Sequence, residues 1–204
     1  MAGRLFLLSP ARCDGERAKL LFNPHAEFAL ARALRDDRSA ELGEVFSFLS
    51  GLYFRGKLAY ARAFSTPARG VHGALVITTD RGLLPPETRI TIADLHSFAC
   101  VDVAAGETRY LEPLRRDVTA LSTRLRRTDA VVLLGSIATG KYVDALLEIL
   151  GERLLFPADF VGRGDMSRGG LMLRCAREGR ELAYIPVAGA VRHGSRPPKL
   201  TRIR

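Results

Sequence analysis

The alternation of apolar runs and helical stripes in this 204-residue chain predicts an α/β fold. The expected form is a single domain with a mixed central sheet flanked by helices and a C-terminal β-hairpin. Three observations lead there. Continuous apolar runs, "RLFLLSP" at the start, "GALVITT" (73–79) and "DAVVLLGS" (129–136), read as strands buried on both faces, as in parallel sheets. Stretches of helical period lie between them, and strands alternating with helices argue for an α/β sheet. Near the end, "GLMLRCAREGRELAYIPV" (170–187) reads as two alternating strands around the turn "REGR". With 47% apolar residues the chain can fill one core, so residues 1–191 are expected to form one domain and 192–204 a basic, flexible tail.

Taken in order, "GERAKLL" (15–21) begins a helix after the first strand, and Asn23-Pro24 is expected to start another, with Asn23 as N-cap and Pro24 at the first helical position. Leu42, Val45, Phe46 and Leu49 fall at i, i+3, i+4 and i+7 of a helix that Gly51 caps. "DRGLLPPETRI" (80–90) is a turn-rich connection. Leu111, Leu114, Val118, Leu121 and Leu125 form the stripe of a long helix over about 110–125. "YVDALLEIL" (142–150) is a further helix stopped by Gly151, and "RLLFPA" (153–158) a further short apolar segment.

The net charge of +9 and a pI near 10.1 point to a polyanionic partner, or to a basic tail and an arginine-rich composition without any nucleic acid. The tail holds five positive charges and no acids, leaving +4 for the rest. No apolar run approaches a membrane span and no signal-peptide pattern opens the chain, so a cytoplasmic location without membrane contact is expected. The three cysteines have no CxxC spacing and the four histidines are isolated, so neither a structural metal nor any other cofactor is expected. There is no Gly-x-Ser-x-Gly elbow to support Ser–His–Asp hydrolysis.

Three stretches carry possible chemistry. In "GSIATGKY", Gly135, Gly140 and Lys141 match the phosphate-cradling pattern after a buried strand, but Tyr142 stands where a magnesium-binding hydroxyl is needed. What remains is a turn whose backbone N–H groups, with Ser136, Thr139 and Lys141, can hold a phosphate or carboxylate, or a tight turn only. "SGLYFRGKLAYARAF" (50–64) interleaves Tyr53, Arg55, Lys57, Tyr60 and Arg62, which suits either base stacking with phosphate contacts or a helical corner with core rings and solvated charges. "VGRGDMSRGG" (161–170) reads as a loop whose Arg163 and Arg168, with Arg174 just beyond, grip an anion, with Asp165 orienting an arginine or acting as a base, or as a charged, solvated surface loop.

Four segments in order resemble the YaaA family of peroxide-stress proteins. "LLSPA" (7–11) is similar to the family's "ISPAK", "LSGLY" (49–53) to "LSGLYG", and "RGDMSR" (163–168) to "RGLMSR", while "VVLLGSIATGKY" (131–142) occupies the place of the strand ending in "LASDEY". Long stretches between them do not match. Phe54 replaces a glycine, Thr139, Gly140 and Lys141 stand where the family has Ser-Asp-Glu, and Asp165 replaces an apolar residue. The resemblance implies a cytoplasmic DNA-binding protein linked to oxidative damage, with the family's own α/β fold. On that basis Ser9, Tyr53, Arg55, Lys57, Ser136, Thr139, Lys141, Arg163, Ser167 and Arg168 are expected to line a basic cleft. Should it catalyse, the expected reaction is hydrolysis of an N-glycosidic bond in damaged or modified DNA, with Asp165 as carboxylate and Asp144 or Asp159 as substitutes. The alternative is a small-molecule nucleotide- or phosphate-binding transferase built on the "GSIATGK" turn.

Overall fold

Four consecutive leucines and phenylalanines, Leu5 to Leu8, are buried to the last atom or nearly so, and a strand buried at every position must be covered on both faces. The computed structural model, which describes residues 2–36, 39–138, 140–191, 194–195 and 197–198, arranges the rest of the chain around that strand. In chain order the elements are β1 (Arg4–Leu8), α1 (Glu16–Phe22), α2 (Ala29–Arg35), β2 (Ala40–Glu41), α3 (Leu42–Ser50), α4 (Leu52–Phe64), β3 (Ala74–Ile77), β4 (Leu83–Leu84), β5 (Arg89–Ile90), α5 (Ile92–Ala99), α6 (Thr108–Arg124), β6 (Ala130–Leu134), α7 (Gly140–Leu150), β7 (Leu154–Pro157), α8 (Asp165–Glu178) and β8 (Tyr184–Pro186).

The main sheet runs β4-β3-β1-β6-β7-β8, and β2 pairs with β5 in a separate ribbon. The inner strands β3, β1, β6 and β7 are parallel, while β4 and β8 close the edges antiparallel. This is the expected mixed sheet of an α/β domain. Helices α4 and α8 pack together, with α4 also against β1 and β3, and α6 packs on α7, which lies against β7. From β1 the chain travels through α1 to α4 before returning as β3, whereas from β6 it turns through α7 to β7 on the opposite side. The carboxyl ends of β1 and β6 are therefore where the connections diverge, the place where open α/β sheets leave a ligand-sized crevice.

Three local expectations are corrected. The stretch 165–178 is helix α8, so "VGRGDMSRGG" is a short turn running into a helix, and "GLMLRC" is not a strand. The C-terminal antiparallel pair exists but is β7 with β8, joined through α8. Of the glycines that suggested a loop, Gly169 serves packing against α4: a methyl group on Gly56 of α4 would stand 2.5 Å from the Gly169 carbonyl oxygen, and one on Gly169 would stand 2.7 Å from that of Leu52. Two helices crossing this closely leave no room for side chains, which outweighs glycine's weak helix propensity. Finally, Asn23 ends α1 rather than starting a helix; its Oδ1 accepts from the His25 N–H in a local turn, and α2 begins only at Ala29. The tail from 192 on lies largely outside the described residues, but Gly194 and Ser195 lie against Val161 and Gly162.

Candidate functional site

A cleft of about 840 Å³ opens at the carboxyl ends of β1 and β6. Ser9 to Asp14 after β1 form one wall, and Ser136, Lys141 and Tyr142 after β6 the facing one. Ser50 and Tyr53, at the α3–α4 junction, Thr79 after β3, and the segment Val101 to Ala105 after α5 complete it, with Asp165 at the start of α8 over the rim. Most of the contributing segments follow a strand or open a helix, while Val101 to Ala105 is a loop after α5.

Ser9 is at the centre. Its backbone N–H continues the β1–β6 ladder to the Leu134 carbonyl at 3.2 Å, which holds it level with the end of β6. Opposite, Gly135 has no side chain because none fits: a methyl group there would stand 2.8 Å from both Ser9 Cβ and Tyr142 Oη. Tyr142 Oη donates to the Ser136 carbonyl at 3.0 Å, and burial pushes its phenol up to about 12, so it stays protonated. The tyrosine that breaks the phosphate-loop pattern is thus a wall of the cleft.

Behind Ser9 lies Lys57, completely buried. Its Nζ donates to the Ser9 carbonyl at 2.7 Å and to Ser9 Oγ at 2.9 Å, and it lies 4.4 Å from the Tyr53 ring centroid and 4.8 Å from that of Phe54. No carboxylate forms an ion pair with it among the described residues. Loss of hydration lowers its ammonium from 10.5 to about 7, the charge of Asp165 opposing that shift in part.

Asp165 is 65% exposed at the side chain, and Arg168 Nη1 approaches it at 3.5 Å from one turn along α8. The Arg168 guanidinium is otherwise spent on the Phe160 carbonyl, through Nε at 3.2 Å and Nη2 at 3.1 Å. Tyr53 Oη is buried without a hydrogen-bond partner; Arg168 is near enough to favour its phenolate, but not in bonding geometry.

Ser9, Tyr53, Ser136, Lys141 and Asp165 therefore converge, with Lys57 and Arg168 directly behind them. Arg55 is exposed on α4, away from the cleft lining. Arg163 is held by the Asp159 carbonyl and Ser167 Oγ, so none of Arg163, Ser167 and Asp159 lines the cleft. Asp144 is exposed one turn into α7, where its carboxylate crowds Gly140. Thr139 lies outside the described residues. Tyr53 is only 6% exposed, with Lys57 over its ring, which leaves little surface for a stacked base. The lining carries two cations, Arg12 and Lys141, against three carboxylates, Asp14, Asp102 and Asp165, so the cleft itself is not a cationic groove.

Residues that sequence reading missed include Tyr142, Thr79, Asp102 and the Arg12–Asp14 pair, bonded at 2.7 Å on the rim. One signal was present for Lys57: it follows Tyr53 by four residues and precedes Tyr60 by three, and both rings are buried, so a cation there lies on the core stripe of α4. Among the described residues no group of three or more His, Cys, Asp or Glu side chains is arranged to hold a metal ion, and no helix is long and apolar enough to cross a membrane. No protein-family model, curated protein or solved structure matches the chain.

Proposed function

We propose that this chain is a cytoplasmic DNA-binding protein that admits one extruded nucleotide into the β1–β6 cleft and hydrolyses its N-glycosidic bond. The observation that carries the reading is the meeting of Ser9, Tyr53, Ser136, Lys141 and Asp165, from four separate segments, on one cleft at the point where the sheet connections diverge. About 840 Å³ is ample for a base and its sugar. Part of the lining suits a neutral base: Val101, Val103, Ala104 and Ala105 offer it an apolar wall, and Ser9 and Ser136 offer hydroxyls to its polar edge. Asp165 supplies the carboxylate that a developing sugar cation requires. The phosphates on either side of the extruded unit stay outside, where the excess positive charge of the chain attracts them. The kinship suggested by "RGDMSR" and its companion segments points to the same polymer.

The transferase alternative draws less support. A phosphate cradled by the "GSIATGK" turn would meet the Asp144 carboxylate at the start of α7, and Gly135 is already closed over by Ser9 and Tyr142. The test is incubation with duplex and single-stranded oligonucleotides carrying uracil, alkylated, oxidised or hypermodified bases, then alkali. Strand scission at one modified base is the expected result. No scission with any of them, together with calorimetric binding of a mononucleotide, would transfer the case to the alternative.

A further inference from the structure

The glycosidic reading gives no chemical step to the pairing of the Ser9 hydroxyl, at the end of the central strand, with the dehydrated amine directly behind it. We propose that Ser9 is a nucleophile activated by Lys57, forming an acyl-transfer centre that accepts the carbonyl of an ester or amide in the same cleft. The geometry carries the proposal. Ser9 lines the cleft, and its Oγ is 2.9 Å from Lys57 Nζ, within proton-transfer distance. The amine is oriented by three fixed partners: the Ser9 carbonyl at 2.7 Å and the rings of Tyr53 and Phe54. Nothing there stabilises a permanent ammonium by an ion pair, and a lysine kept from water is the kind that serves as a base.

The charged and titratable groups facing this pair are few. From α4 itself there is Tyr53, from α7 Tyr142, and from α8 Asp165 and Arg168. Both phenols are raised by burial and stay protonated, so neither competes as a base. With the amine neutral, one Nζ–H still donates to the Ser9 carbonyl while the nitrogen lone pair accepts the Ser9 hydroxyl proton.

The step balances without any further reagent. Ser9 Oγ bonds to the carbonyl carbon as its proton passes to Lys57 Nζ. The bond from that carbon to the alcohol or amine then breaks, and Lys57 returns the proton to the departing group. Water releases the acyl chain from Ser9 by the same sequence, with Lys57 taking the water proton and handing it to Ser9 Oγ. The arrangement needs no histidine, as in the serine–lysine variants of nucleophilic catalysis.

A small alkyl fluorophosphonate tests this without knowledge of the substrate, because it traps an activated serine by displacing fluoride. Intact wild-type protein is treated across about pH 6 to 9, and the modified residue is located by peptide mass mapping. The expected result is one label on Ser9, with a rate that climbs as Lys57 loses its proton and levels off above it. Ser9→Ala abolishes the label, and Lys57→Met or Lys57→Arg slows it at least about 100-fold, since neither replacement accepts a proton. An unlabelled Ser9 at every pH, a rate that does not change with pH, or equal rates in a folded Lys57 variant would overturn the proposal. If neither Lys57 variant folds, the wild-type profile decides by itself. The outcome is separate from base release: failure of every modified oligonucleotide removes the glycosidic reading and leaves this one standing, and the reverse also holds.

Discussion

Replacing Lys57 by methionine keeps a long unbranched side chain, one heavy atom shorter, and removes its charge, which makes the buried amine visible as a pH dependence of stability. Burial sets its ammonium at about 7 against an ordinary 10.5. Between these values the unfolded chain holds a proton that the folded chain lacks, so raising the pH favours the folded state. Below 7 both states hold it, and the dependence vanishes with the full cost of burying the charge in place. At about 1.4 kcal/mol per pKa unit that cost is roughly 5 kcal/mol, and integration from pH 7 to pH 9 recovers about 2 kcal/mol of it. Urea denaturation of both proteins across this range is the assay. Cys13, whose thiol burial pushes up to about 12, works in the opposite direction once the pH passes the ordinary thiol value, but both proteins share it and the difference cancels it. The wild type should gain about 2 kcal/mol relative to Lys57→Met over these two pH units. Parallel curves would mean that Lys57 binds its proton as an exposed lysine does, and the argument from burial would fail.

Four further outcomes are expected. Asp165→Asn should lower base release at least about 100-fold while leaving the melting temperature near that of the wild type, since the side chain is largely exposed. Gly56→Ala should destabilise the fold by about 2 kcal/mol in urea titrations, because the added methyl group meets the Gly169 backbone and the helices must part. A thiol reagent should modify one cysteine in the native protein, Cys100, and all three after unfolding, since Cys13 and Cys175 are buried. DNA affinity should fall steeply with salt, and deletion of residues 192–204 should flatten that slope without abolishing binding; loss of all binding would assign recognition to the tail rather than to the cleft.

What could be read from the sequence follows from how each feature is encoded. The strands β1, β3 and β6 are continuous apolar runs, and the stripe of α6 repeats at helical period over four turns, so local pattern and tertiary burial agree there. Helix α8 was hidden because its determinant is not local. Gly169 is a poor helix former chosen by Gly56, more than a hundred residues earlier, and only the crossing of α4 and α8 explains both. Asn23-Pro24 misled for a related reason: the pair carries a strong start signal, but the chain uses Asn23 to turn after α1. In the cleft, the residues at strand ends, Ser9 and Ser136, were legible because their place follows from the strands. Arg163 and Arg168 were not, since a guanidinium bound to a backbone carbonyl reads in sequence like one waiting for a phosphate. Lys57 was named for its charge, and its importance lies in having no water around it.

The most direct test of the central claim is base release from the modified-base oligonucleotides, compared between wild type, Asp165→Asn and a variant that fills the cleft, Ala104→Trp. The account predicts free base and an abasic site from the wild type on at least one substrate, and neither product from the two variants, although both still bind DNA. Equal release by Ala104→Trp and wild type would mean that the reacting nucleotide does not enter the β1–β6 cleft, and the account of the site would be wrong.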